Sequence, residues 1–147
     1  MRTVIIGGSG HVGTYLVPEL VRAGHEVINV ARGSSRPYLN DRTWDEVQSI
    51  IADRNSEEKN NEFGKRISKL KPDVVIDMIC FKLESARKLV ESLEGQVQHF
   101  LSCGTIWVHG YSVHVPATEA EPRRPFGQYG IQKAAIEAVP LKRFANR

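Results

Sequence analysis

Seven residues near the amino terminus, Gly7-Gly8-Ser9-Gly10-His11-Val12-Gly13, restrict the fold more than any other part of this sequence. They follow Thr3, Val4, Ile5 and Ile6, a run rich in β-branched side chains that reads as a short buried strand. After them Val12, Leu16, Leu20 and Ala23 recur at helical spacing, and Gly24 supplies a helix stop. Val27, Ile28 and Val30 form a second strand candidate. Strand, glycine turn, helix and strand of this length make a βαβ unit, whose right-handed crossover leaves the two strands parallel. Gly7, Gly10 and Gly13 let the turn close, let the backbone approach a pyrophosphate and let the helix pack on the sheet. Free amides at the helix start, those of His11 and Val12 among them, then bind phosphate without a charged side chain. A structural turn in an unrelated α/β protein is the alternative, and the strand on each side favours the dinucleotide turn.

The rest of the chain repeats the alternation. Gly33 to Glu46 reads as a loop with at most one helical turn near Trp44, and Val47 to Ala52 as a third strand. A polar stretch from Asp53 to Asn61 has little apolar content, and Phe63, Ile67 and Leu70 then mark a helix before Pro72. Val74 to Ile76 give a fourth strand bounded by Asp73 and Asp77. Leu83, Ala86, Val90 and Leu93 give a helix ended by Gly95, and Val97 with Phe100 and Leu101 a fifth strand. A last helix starts near Gly127 with Ile131, Ala134, Ala135 and Ala138, and Pro140 is expected to kink or end it unless it lies in a new first turn. This order predicts an α/β fold, a Rossmann-type doubly wound parallel sheet in strand order 3-2-1-4-5, covered by helices on both faces. Its ligand crevice lies beyond the carboxyl ends of strands one and four, where the order reverses.

Composition narrows the function classes. The 147 residues suit one domain, with 41% hydrophobic and 25% charged residues in the globular range. The net charge of +3 comes from interspersed residues, so no basic arm or aromatic platform for nucleic acid is expected. Two cysteines, Cys80 and Cys103, are too few for a disulfide scaffold or a four-cysteine zinc site. His11, His25, His99, His109 and His114 show no ligand-pair spacing, and no metal site is expected. The absence of a long apolar run and of room for a leader predicts a cytoplasmic protein that does not enter membranes.

Where an NAD-preferring site carries Asp or Glu at the end of the second strand, this chain has Ala31 and Arg32, with Arg36 close behind. The reading is NAD or NADP with a tilt toward NADP; the alternative makes both arginines solvated loop residues. Asp53 either accepts a hydrogen bond from the adenine amino group or caps the segment that follows. Tyr129 and Lys133 are four apart and share a helix face. A nearby ammonium lowers a tyrosine pKa and can hold ribose hydroxyls, while the tyrosine exchanges a proton with a hydroxyl or carbonyl.

Three motifs together resemble the extended short-chain dehydrogenase/reductase family, the NAD-dependent epimerase/dehydratase group. They are the glycine turn, Tyr129-Gly130-Ile131-Gln132-Lys133, and Ser102-Cys103-Gly104-Thr105-Ile106-Trp107-Val108-His109-Gly110. The resemblance implies Tyr129 as acid/base, Lys133 as the residue that orients the cofactor ribose, and Thr105 as a hydrogen-bond donor to the reacting oxygen. It implies hydride exchange between nicotinamide and a carbinol or carbonyl carbon of a small-molecule substrate such as a nucleotide sugar. Met78 to Phe81 are then expected near the cofactor, with Cys80 as packing. His109, which replaces the family's usual Tyr, either contacts substrate or packs. Trp107 reads as core, and Glu119 and Glu121 either orient a sugar hydroxyl or are solvated.

Family members usually run to about twice this length, so residues 1–147 are expected to be a truncated NAD(P)-binding domain without its carboxyl-terminal substrate domain. The fifth strand is then an exposed edge. Two readings follow: an epimerase/dehydratase-type oxidoreductase completed by a homodimer or companion chain, or a weakly active or inactive NAD(P)-binding module.

Overall fold

The computed structural model describes residues 1–112 and 115–144. Five strands, β1 (Arg2–Ile6), β2 (Glu26–Ala31), β3 (Gln48–Ile51), β4 (Val74–Asp77) and β5 (His99–Ser102), form one sheet in the order β3-β2-β1-β4-β5. Every neighbouring pair is parallel. The helices are α1 (His11–Arg22), α2 (Arg54–Lys59), α3 (Phe63–Lys69), α4 (Leu83–Leu93) and α5 (Gly127–Phe144). The chain passes from β3 across to β4, so the order reverses between β1 and β4 as the sequence predicts, and a Rossmann-type sheet results.

Alternating side chains feed two apolar layers. Val4 and Ile6 join Ile28, Val30 and Val75 beneath Phe63 and Ile67 of α3 and Leu89 and Leu93 of α4. Ile5 joins Val27 and Ile76 against Val17 of α1 on the other face. Burial on both faces is why these strands read as continuous apolar runs rather than as alternating ones. A third, smaller group of Cys80, Ala86 and Ile136 ties α5 to α4.

The structure refines three local readings. The buried face of α1 is Gly13, Thr14, Val17 and Pro18, whereas Val12 is 55% exposed and Ala23 is also exposed. Gly13 rotates this face inward: a Cβ there would stand 2.0 Å from the Gly8 carbonyl oxygen, so the helix lays backbone on backbone. The polar stretch after β3 holds the helix α2, whose buried residue is a charged one, Arg54. Pro140 does not end α5, which continues to Phe144; proline keeps a helical φ and forfeits one hydrogen bond to the preceding turn. His114 and residues 145–147 lie outside the described residues.

β5 is the outer strand on one side of the sheet and leaves Leu101 41% exposed. Among the described residues, no helix is long and apolar enough to cross a membrane.

The contact at Gly13 gives a direct test. Gly13→Ala drives a methyl group into a carbonyl that cannot swing away, and stability falls by about 1–3 kcal/mol, the usual cost of overpacking. Chemical denaturation checks this; an unchanged midpoint contradicts the backbone-on-backbone seat.

Candidate dinucleotide site

The first strand runs straight into the turn. Gly7 has φ +86°, a left-handed backbone, and a Cβ there would lie 2.6 Å from Ile79 Cγ2. Its amide donates to the Val30 carbonyl at 2.9 Å. The Gly8 amide donates at 2.9 Å to Oδ1 of Asn29, a residue only 5% exposed. Asn29 therefore pins the turn to β2, a role its place in the apolar run Val27-Ile28-Asn29-Val30 signals as the one polar interruption. Gly10 precedes α1 and offers no side chain to cap it. A Cβ at Gly10 would meet nothing nearer than Gly7 O at 3.5 Å, so the outer face of the turn is open. The first-turn amides of His11, Val12 and Gly13 thus begin a helix next to open space, which fits a pyrophosphate. The side chains of His11 and Val12 are exposed, and the His11 ring packs near Tyr38 at 5.5 Å between centroids.

Two adjoining hollows extend from the turn. One, about 390 Å³, is lined by Val30, Arg32, Asp53, Phe63, Ile79 and Phe81 among others. The other, about 120 Å³, is lined by Gly7, Ser9, Gly10, Arg32, Ser34 and Ser35, with Ala31 and Ile79 shared by both. Arg32 borders both, whereas Arg36 is exposed and borders neither. Asp53 borders the larger hollow and caps α2, accepting from the Ser56 amide at 3.0 Å. Met78 packs with the apolar layer under α1, while Ile79 lines both hollows and Phe81 the larger one.

A buried ion pair forms one wall. Arg54 Nη1 donates to both carboxylate oxygens of Asp77 at 2.9 Å, and Nε donates to Glu58 at 2.6 Å. Burial acts to lower the Arg54 pKa, but the charge of Asp77 and the bonds from Glu58 and Asp77 outweigh it and raise the value further. Asp77 also accepts from the Ile79 amide at 3.2 Å. Burial, reinforced by the Asp77 charge, pushes the Cys80 thiol up and away from thiolate chemistry, in line with a packing role. Sequence reasoning missed Arg54, because a lone arginine in a polar stretch gives no sign of burial.

Thr105 follows β5, and Tyr129 and Lys133 lie on α5. Thr105 caps the short 3-10 turn Ile106–Val108, and its hydroxyl oxygen accepts from the Trp107 amide at 3.4 Å. Lys133 is 3% exposed; its ammonium donates to the Cys103 carbonyl at 2.9 Å and lies 4.9 Å from the centroid of the Phe81 ring. Tyr129, one turn earlier on α5, is 48% exposed. Gly130 lets α5 approach this turn, since a Cβ there would lie 2.9 Å from the Trp107 carbonyl oxygen. Trp107 is not core: it is 49% exposed and stacks on Phe126.

A separate hollow of about 340 Å³ holds Thr105, His109, Glu119, Arg123 and Glu137, but Tyr129 does not line it. His109 Nδ1 donates to the Glu121 carbonyl at 3.1 Å. Glu137, which pairs with Arg123 at 3.3 Å, escaped the sequence reading. Among the described residues no group of three His, Cys, Asp or Glu side chains is placed to hold a metal ion.

Sheet, turn and crevice define a Rossmann-type protein with the glycine turn of a dinucleotide-binding domain. The chain belongs to the NAD dependent epimerase/dehydratase family, whose sequence model matches residues 3–142. It is 29% identical over 146 residues to 2'-dehydrokanamycin reductase of Streptomyces kanamyceticus, covering 99% of this chain and 39% of that protein. UDP-glucose 4-epimerase of Streptococcus mutans is 25% identical, over 95% of this chain and 46% of that protein. A crystal structure of UDP-galactose 4-epimerase superposes with a TM-score of 0.76 at 26% identity, covering 97% of this chain and 51% of that one. The chain thus spans about half the length of the relatives it matches, or somewhat less.

The Arg54–Asp77 pair makes a testable demand. Arg54→Met strands a buried carboxylate and costs about 3–5 kcal/mol in urea unfolding, while Arg54→Met combined with Asp77→Leu recovers most of it. A single-variant loss under about 1 kcal/mol, the range of surface pairs, contradicts the burial.

Proposed function

We propose that this chain binds NAD(P), its pyrophosphate on the amides of Gly10 to Gly13 and its adenosine in the hollow bordered by Arg32 and Asp53. The observation that carries this reading is the glycine cradle: Gly7 and Gly13 are closed to any side chain, while Gly10 is open toward the uncapped start of α1. Ile79, held by Asp77 over Gly7, gives the bound dinucleotide an apolar wall.

A second reading adds chemistry on a nucleotide sugar or a related hydroxyl or carbonyl substrate, as an activity of the whole protein. The curated relatives support it, since two of them are named as UDP-glucose 4-epimerases and one as a 2'-dehydrokanamycin reductase. Hydride exchange at the substrate carbon is the chemistry that bound NAD(P) would supply. The rest falls to this chain. Lys133 uses one of its three donors on Cys103 and keeps others for ribose hydroxyls. Tyr129, one turn before Lys133 on α5, passes a proton to or from the substrate oxygen. The Thr105 hydroxyl accepts from the backbone, so its own proton is free to steady that oxygen.

Titrating the purified chain with NADPH and NADH tests the first reading: saturable binding by a chain that melts cooperatively is expected, and none by such a chain overturns it. Turnover that drops by about 10²–10⁴-fold in Tyr129→Phe, with dinucleotide binding retained, is expected of the second. Binding without turnover over a panel of nucleotide sugars leaves the binding module alone standing.

A further inference from the structure

Resting on the reading of Lys133 as the group that holds the ribose of a bound dinucleotide, we infer that Phe81 is its positioning residue: the ring face keeps a buried ammonium in place without using up its donors. Among the described residues the buried cations are Arg54 and Lys133, and the fold treats them differently. Arg54 is neutralised by Asp77 and Glu58. The lysines with carboxylate partners are Lys65 and Lys88, whereas Lys133, only 3% exposed, has no ion pair among the described residues. Its ammonium meets the Cys103 carbonyl at 2.9 Å and stands 4.9 Å from the centroid of the Phe81 ring. One carbonyl dipole is a poor substitute for the water that a buried charge gives up, and the face of an aromatic ring supplies further attraction.

The neighbours of Phe81 put the ring there. Cys80 packs with Ala86 of α4 and with Ile136 of α5, one turn beyond Lys133. Its thiol donates to the Lys82 carbonyl at 3.6 Å, so the backbone is held on both sides of residue 81. The Phe81 side chain itself is 58% exposed and lines the larger hollow, so core packing does not account for an aromatic residue here. A leucine would cover the ammonium equally well but offer its charge no field. A carboxylate would hold the charge by taking its N–H donors. The ring attracts through its quadrupole and leaves the two donors not given to Cys103 for the hydroxyls of a ligand.

The test is a double-mutant cycle read by calorimetric titration with NADPH and NADH: wild type, Phe81→Leu, Lys133→Met and both together, with Phe81→Tyr as the conservative rescue and each variant first shown to keep the wild-type melt. Phe81→Leu should lose roughly tenfold in affinity for both dinucleotides, the scale of a desolvated cation–π contact, and Phe81→Tyr should lose almost nothing. In the Lys133→Met background Phe81→Leu should change nothing further. In the carbon–proton NMR spectrum of the unliganded chain, one lysine ε-methylene signal should be shifted upfield by the ring, in the wild type and Phe81→Tyr but not in Phe81→Leu. Wild-type affinity in Phe81→Leu, the same loss in both backgrounds, or no such shifted signal overturns the positioning role and leaves dinucleotide binding intact. Wild-type affinity in Lys133→Met overturns the ribose role of Lys133, and failure of the folded wild type to bind either nucleotide overturns the dinucleotide reading; this inference falls with each.

Discussion

The seat of Gly13 on the Gly8 carbonyl governs the geometry of this molecule. A helix that normally stands off a sheet by a layer of side chains here touches the turn with bare backbone. The approach lowers the start of α1 into the crevice between β1 and β4, so its uncapped amides face the place where the strand order reverses. Asn29 and Val30 hold the other side of the turn from β2, and Ile79 closes over Gly7 from β4. Three adjacent strands thus converge on one loop that contains almost no side chains.

A second constraint links the two halves of the crevice. Arg54 begins α2 just after β3, and its bond to Asp77 reaches the end of β4 two strands beyond β2. The guanidinium lies 5.3 Å from the centroid of the Phe63 ring and is ringed by Glu58, Cys80 and the Ser85 carbonyl, so its donors are spent inside the protein. Taking two charges out of water is expensive, and such a pair persists only with this degree of satisfaction. Asp77 in turn sets the Ile79 amide, which couples the larger hollow to the glycine turn.

Much of this was legible in the sequence because it rests on local rules. β-Branched runs gave the strands, the glycine spacing gave the turn, and the alternation of elements gave the parallel sheet and its order. What was not legible depends on contacts between distant segments. The rotation of α1 follows from a backbone contact that no apolar stripe records. α2 is built around a buried arginine, so hydrophobic periodicity cannot find it. Within Met78 to Phe81, that Ile79 rather than Met78 lines the hollows depends on where the chain leaves β4, and element ends are hardest to fix from sequence. On α5, the partnership of Lys133 with Phe81 and the Cys103 carbonyl required the fold.

The most direct test of the account is two-dimensional amide NMR of the chain as NAD⁺ or NADP⁺ is added to saturation. The largest shifts are predicted at the amides of Gly7 to Gly13 and at Ile79, with α4 little changed. A dispersed, folded spectrum in which those amides do not move, or shifts confined to the α4–α5 side, would contradict it.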